Sequence, residues 1–108
     1  MGNEEWDWKE QSRYFLAQAA AQQRQLWEIG AQAKNQPACQ EEYDRTLAVF
    51  SVYHHLWGRP FLYTREKLVA ELEALLDKPI CDAPPYDQHR FAIGWKAVIE
   101  ELIEKYRK

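Results

Sequence analysis

The stretch Glu5–Gly30 reads EWDWKEQSRYFLAQAAAQQRQLWEIG, and its periodicity decides the fold class. Apolar and small residues recur along it at alternating intervals of four and three, which is the heptad spacing of one helix face. This row comprises Trp8, Ser12, Phe15, Ala19, Gln22, Leu26, Ile29 and Ala33. A second group widens the row on one flank: Leu16, Ala20, Gln23 and Trp27. The pattern predicts one long amphipathic helix from about Glu5 to Ile29 or beyond, with Gly30 as a stop or bend.

Two further helices are predicted on either side of an aromatic connector. The segment from about Gln40 to Trp57 is apolar over most of its circumference, which is typical of a central helix. Gly58 and Pro60 end it. Thr64 is a suitable N-cap for a third helix, Arg65–Asp77.

A fourth helix follows Asp87, which can cap it. Its inward stripe contains Phe91, Trp95, Val98, Leu102 and Tyr106. Short connections favour antiparallel neighbours, so the sequence predicts an all-α, four-helix, up-down bundle-like domain with a long first helix, occupying residues 1–108.

The length of the first helix raises the question of a second copy. Twenty-five residues make a helix of about 38 Å, whereas a compact domain of this size is about 34 Å across. A projecting seam of Ala, Leu and Trp would expose an apolar patch, so we expect a homodimer.

Composition and charge exclude several classes of partner. The chain has 108 residues, 14 bases and 17 acids, and its net charge of −3 comes from the N-terminal half. Because no basic stripe stands out, no nucleic-acid partner is expected. The acidic start Met1–Glu5 lacks the apolar region of a secretory signal, and no apolar run is long enough to span a membrane. Cys39 and Cys81 lie 42 positions apart, which fits a reduced, cytoplasmic chain.

Three groups of residues were candidates for chemistry. His54 falls on an apolar stripe and is expected to be a core or boundary histidine, whereas a solvated polar face is predicted for Asp44, Ser51 and His55, although the three resemble a catalytic triad on paper. Cys39, Cys81 and His89, with Asp82, fall at one end of an up-down bundle, and inert loop thiols are expected there. We therefore assign no metal ligand, no cofactor and no catalytic residue, and an enzyme is kept only as an alternative.

Aromatic residues are the remaining signal. Core packing is predicted for Trp27, Trp57 and Trp95, which lie on the inward stripes. Trp, Tyr and Arg are enriched at binding hot spots, and two clusters outside the stripes or at their ends fit that role. The predicted interaction residues are Trp6, Trp8, Trp57, Arg59, Phe61 and Tyr63.

These observations predict a small cytosolic helical protein that acts through protein–protein interaction, as an adaptor, regulator or inhibitor. Its expected partners are a protein and a second copy of the chain. The first alternative is a helical domain that binds a small molecule in an aromatic-lined pocket, and the second is a metal-dependent hydrolase.

Overall fold

Four α-helices form the protein. The computed structural model describes residues 6–59, 64–81 and 83–107, and these ranges contain no strand. The helices are α1 (Trp8–Ala33), α2 (Pro37–Trp57), α3 (Arg65–Leu75) and α4 (Gln88–Arg107). The predicted all-α architecture is confirmed.

The helices alternate in direction along the chain. α1 packs on α2, α2 on α4, and α3 on α4. The start of α4 lies against the first half of α2, because Arg90 binds Asp44, so these two helices run in the same direction. α3 runs opposite to α4, since its first residue, Arg65, lies near Arg107 at the end of α4, whereas its last residue, Leu75, contacts Trp95 in the first half of α4. The up-down order is therefore confirmed.

α1 is long and continues beyond Ile29 to Ala33, so Gly30 does not stop the helix. α2 accompanies it as the second arm of a helical hairpin. The resulting molecule is elongated, with extents of 53 × 25 × 19 Å and a radius of gyration of 14.7 Å. The smallest extent, 19 Å, is only about two helix diameters, so much of the surface of α1 is not covered by another helix.

Side-chain caps start three of the helices. The carboxylate of Asp7 accepts from the backbone N–H groups of Lys9 and Glu10 at the start of α1. Thr64 Oγ1 accepts from Lys67 N–H at 3.1 Å, and Asp87 Oδ1 accepts from Arg90 N–H at 3.1 Å. The two caps predicted at Thr64 and Asp87 are confirmed, because each oxygen satisfies an amide that the first helical turn leaves without a partner.

The close approach of α4 to α2 depends on a glycine. A Cβ at Gly94 would lie 3.2 Å from the Cβ of Ala48, which is closer than an ordinary contact, so a side chain at position 94 would require the two helices to shift slightly apart. Beside them Trp95 is fully buried, and its Nε1–H donates to the carbonyl of Leu75 at 2.8 Å. This one side chain joins the core between α2 and α4 to the end of α3.

The polar residues of α2 that were predicted to be solvated are buried instead. Asp44 is 0% exposed, and Ser51 is 2% exposed. The Asp44 carboxylate accepts from the backbone N–H groups of Tyr86 (2.8 Å) and Asp87 (3.0 Å), and from both Nε and Nη2 of Arg90. The prediction was wrong because the connector before α4 folds back over this face and needs an acceptor for its amides.

A tyrosine cluster joins the ends of α1, α2 and α4. Tyr106 donates its hydroxyl to Gln11 Oε1 at 3.0 Å, and the ring of Tyr53 lies 6.1 Å from that of Phe15. Burial raises the pKa of Tyr106 to about 12. Burial also raises the pKa of Tyr53, and a hydrogen bond with Tyr14 raises it further.

These raised pKa values predict alkaline instability. Below about pH 9 these tyrosines are neutral in the folded and the unfolded chain, so their full contribution to the free energy of unfolding is present. As the pH rises from about 10 towards about 12, the unfolded chain ionises while the folded chain does not, so the free energy of unfolding falls. Urea unfolding across this window measures the slope. Tyr106→Phe, which keeps the ring and removes its titration, should make the decline shallower, and an unchanged slope would contradict this assignment.

Candidate functional site

Three of the predicted interaction residues line one narrow cleft between α1 and the end of α2. Trp8 and Trp57 are each 41% exposed. With Phe15, Leu56 and Arg59 they enclose a space of about 50 Å³, which we call the tryptophan cleft. The cleft is too small for a ligand of its own, but both of its tryptophans keep a large part of their surface exposed.

The other predicted interaction residues are placed differently. Trp6 is half-buried, and its ring meets the edge of Tyr106 at 5.7 Å. Trp6 therefore packs on the end of α4, and part of its side chain remains exposed to solvent. Phe61 and Tyr63 lie outside the described residues.

Trp27 is the main difference from the predicted core. Its side chain is 80% exposed, whereas its neighbour Leu26 is buried. Successive helical residues diverge by about 100°, and the side of α1 that carries Leu26 is the one that packs on α2. Leu16, on the same flank as Trp27, is 44% exposed for the same reason. The flank predicted to widen the buried row is thus a surface.

Beside Trp27 lies a groove of about 600 Å³ between α1, α2 and the connector that precedes α4. Its apolar wall consists mainly of Trp27, Tyr43, Leu47, Phe50 and Tyr86, and we call it the aromatic groove. The rings of Tyr43 and Tyr86 meet edge to face at 5.3 Å. Burial raises the pKa of Tyr43, so its hydroxyl stays protonated well above neutral pH.

His54 connects the aromatic groove to the tryptophan cleft. Its ring stacks on Phe50 at 5.2 Å with an interplanar angle of 15°, and lies 6.1 Å from the ring of Trp57. His54 is exposed, so its predicted place in the core or at its boundary is wrong. We use the name aromatic surface for the groove, His54 and the cleft together.

His55 belongs to a polar chain that holds Arg59. Its Nε2 lies 3.0 Å from a carboxylate oxygen of Glu71 on α3, and its Nδ1 lies 3.3 Å from Nη2 of Arg59. Because the guanidinium has only donors, Nδ1 accepts and Nε2–H donates to Glu71. This series of hydrogen bonds positions Arg59 at the cleft and connects α2 to α3.

The triad suggested by Asp44, Ser51 and His55 does not form. Asp44 binds the connector and Arg90, and His55 binds Glu71. Ser51 Oγ is buried and has no hydrogen-bond partner within the part of the chain that is described.

The cysteines and His89 do not come together as a metal site. Cys39 contacts the side-chain oxygens of Gln32 and Gln36, and Cys81 contacts the backbone carbonyl of Ala83. Across residues 6–59, 64–81 and 83–107, no group of three His, Cys, Asp or Glu side chains is arranged to hold a metal ion.

A second groove, of about 740 Å³, lies between α2 and α4. Its floor is apolar and includes Val49, Ile93 and Val98, and Ile93 is 58% exposed. Charged residues of both signs, together with His89, line its edges: Glu41, Arg45, Asp87, Arg90 and Glu101. We call it the α2–α4 groove.

The sequence singled out Trp8, Trp57 and Arg59 in two separate clusters, without predicting that they meet in one cleft, and the aromatic groove was missed. Tyr43 and Phe50 belong to the helix that is predicted to be central because it is apolar over most of its circumference, and nothing in the pattern singles out Tyr86. The available signal was its position, since Tyr86 follows Pro84 and Pro85 in a segment without periodicity. An aromatic residue in such a segment needs either a groove or a partner to cover it.

None of the four helices, over the residues that are described, has the length and apolar character of a membrane span.

Comparison with other proteins adds no assignment. The chain matches no protein family model, no curated protein and no solved structure. Its function must therefore be inferred from its own geometry.

Proposed function

We propose that this chain is a helical protein-interaction module, an adaptor, regulator or inhibitor, that binds a protein partner through the aromatic surface. The observation that carries the proposal is Trp27, which is 80% exposed on a regular helix and forms one wall of the aromatic groove. Covering a tryptophan on association contributes about 2–4 kcal/mol, which makes such residues frequent binding hot spots. Trp8, Trp57 and Arg59 extend the same surface. The interaction roles of Trp6, Phe61 and Tyr63 remain predictions.

A cytosolic location is part of the proposal. Cys39 and Cys81 are both free thiols, as is usual in a reducing compartment.

Site-specific crosslinking tests the proposed function. A photoreactive benzoyl-phenylalanine replaces Trp27 in one variant and the exposed Lys96 of α4 in a matched control. We expect a specific adduct with one protein at position 27 and no such adduct at position 96. The unlabelled Trp27→Gln variant should lose that partner while its melting temperature changes by less than about 2 °C, because the side chain contributes little to the core. Equal labelling at both positions, or no adduct at either, would contradict the proposal.

A second candidate function is the binding of a small molecule in the aromatic groove. Its volume of about 600 Å³ lies within the usual range for ligand sites, and four aromatic side chains line its wall. Saturable quenching of indole fluorescence by a metabolite, lost in Trp27→Phe, would favour this candidate. A protein adduct at position 27 would favour the first.

The predicted homodimer has a separate surface available in the α2–α4 groove. A two-fold interface must be self-complementary, and this groove combines an apolar floor with the acids Glu41 and Glu101 and the base Arg45. We propose that a second copy packs here through Ile93. Light scattering of wild type and Ile93→Glu tests this: a dimer that the substitution dissociates supports it, and a wild-type monomer contradicts it.

A further inference from the structure

α1 carries a second heptad row, displaced by one residue from the row that packs on α2. Its members also alternate at intervals of four and three, and all except the half-buried Gly30 are exposed. The row comprises Lys9, Arg13, Leu16, Ala20, Gln23, Trp27, Gly30 and Lys34. Its last four members line the aromatic groove, so row and groove form one continuous surface.

Charge along this outer row is of one sign. Lys9 and Arg13 stand at one end and Lys34 at the other, with the apolar side chains Leu16 and Trp27 between them. The acids of α1, Glu10 and Glu28, each follow a row member by one residue and so lie about 100° away from it. Within the described ranges, none of the three bases has an ion-pair partner.

We propose that the outer row, together with the aromatic groove, binds an amphipathic helix of the partner that has an apolar middle and acidic residues towards both ends. This inference rests on the proposed interaction function and specifies the partner. From Lys9 to Lys34 the row is about 38 Å long, which matches a partner helix of about seven turns. Interfaces place opposite charges against each other, and a helix laid in a groove presents its anchors at heptad spacing.

The small residues of the row favour a helix over an extended segment. Ala20 lies between the two large apolar side chains, Leu16 and Trp27, and Gly30 follows Trp27, so a second helix can approach α1 closely at both of these points. An added Cβ at Gly30 would lie 3.9 Å from the ring of Tyr43, which is an ordinary contact distance, so the ring of Tyr43 forms the wall of the groove beside Gly30.

A second copy of α1 does not fit the same row. In an antiparallel pair Lys9 would face Lys34, and in a parallel pair each base would face itself. Both arrangements oppose like charges, which disfavours association. A partner of opposite charge is therefore the better match.

A membrane surface is also a poorer match. Helices that lie in a bilayer interface need a broad apolar face, but this row has only two large apolar side chains, Leu16 and Trp27. The remaining apolar area is the wall of a concave groove, which a flat bilayer does not fill.

Selection from a displayed library of helical peptides tests the proposal. The full-length chain is immobilised, and the library randomises the facing positions of a seven-turn helix. We expect the selected peptides to carry apolar residues in the middle and Asp or Glu towards both ends. Their affinity should fall about tenfold in the Lys9→Glu/Lys34→Glu variant. The matched control, Lys78→Glu/Lys96→Glu, changes the net charge equally at exposed sites off the row and should leave affinity unchanged.

The outcomes separate this inference from the proposed function. Neutral or basic peptides that bind wild type and fail to bind Trp27→Gln would overturn the acidic partner and leave the interaction surface intact. Peptides that bind Trp27→Gln as well as wild type would overturn both. Sedimentation with vesicles of phosphatidylcholine and phosphatidylserine provides a further arm, in which Trp27-dependent binding to vesicles without selected acidic peptides would overturn the proposal in favour of a membrane.

Discussion

Replacing Asp44 with alanine is expected to lower the free energy of unfolding by about 3 kcal/mol, measured by urea denaturation at neutral pH. The carboxylate is fully buried and accepts four hydrogen bonds from Tyr86, Asp87 and Arg90. Its removal leaves two backbone amides and a guanidinium without their acceptor. Since the Arg90 side chain is 33% exposed, water recovers part of the loss, which keeps the effect at the lower end of the range for a broken buried ion pair.

Two substitutions control this prediction. Asp44→Asn keeps one acceptor oxygen and should fall between wild type and alanine. Glu41→Ala removes an exposed acid of α2 and should change the free energy of unfolding by less than about 0.5 kcal/mol. If Asp44→Ala cost no more than Glu41→Ala, Asp44 would not hold the connector in place.

Trp95→Ala is expected to be more severe, with a loss of about 3–5 kcal/mol. The side chain is 0% exposed where α2, α3 and α4 meet, and its removal leaves a cavity that the helices cannot close completely. Its hydrogen bond to Leu75 is a smaller part of the effect, because that carbonyl also accepts from Lys78 N–H at 3.0 Å. Trp95→Phe should therefore retain most of the stability.

Trp27→Ala is the matched comparison for Trp95→Ala. The chemical change is identical, but Trp27 is 80% exposed, so the free energy of unfolding should change by less than about 1 kcal/mol. Equal losses at the two positions, measured by urea denaturation of both variants, would show that Trp27 is buried in solution and would remove the main support for the interaction surface.

Helix identity and caps could be predicted from the sequence because both depend on local chemistry. Thr64 and Asp87 act as caps through amides three residues away, and the buried row through Phe15 and Leu26 needs only the period of a helix. Such features depend on a few neighbouring residues and not on how the rest of the chain packs.

The surface could not be predicted in full, because it depends on how many helices surround each one. Periodicity shows that Leu26 and Trp27 lie on adjacent faces of α1. It does not show whether another helix covers the face that carries Trp27. In this fold α4 packs on α2, and the flank of α1 that carries Trp27 remains open. The burial of Asp44 was missed for a similar reason, since its partners lie more than 40 residues away.

Some residues of the tryptophan cleft could be predicted from the sequence, because large aromatic side chains and an arginine occur at the ends of helices. Trp57 and Arg59 flank the end of a helix, and Trp8 is at the start of another. Their meeting follows from the antiparallel pairing of α1 and α2, which brings the first turn of one beside the last turn of the other.

The proposed binding of a protein partner through the aromatic surface depends on Trp27. The most direct test is the dissociation constant of the partner crosslinked at position 27, measured by calorimetry for wild type and for Trp27→Gln. We expect the substitution to weaken binding at least about thirtyfold, as is usual for a hot-spot residue that contributes about 2 kcal/mol. A dissociation constant that stays the same would contradict it.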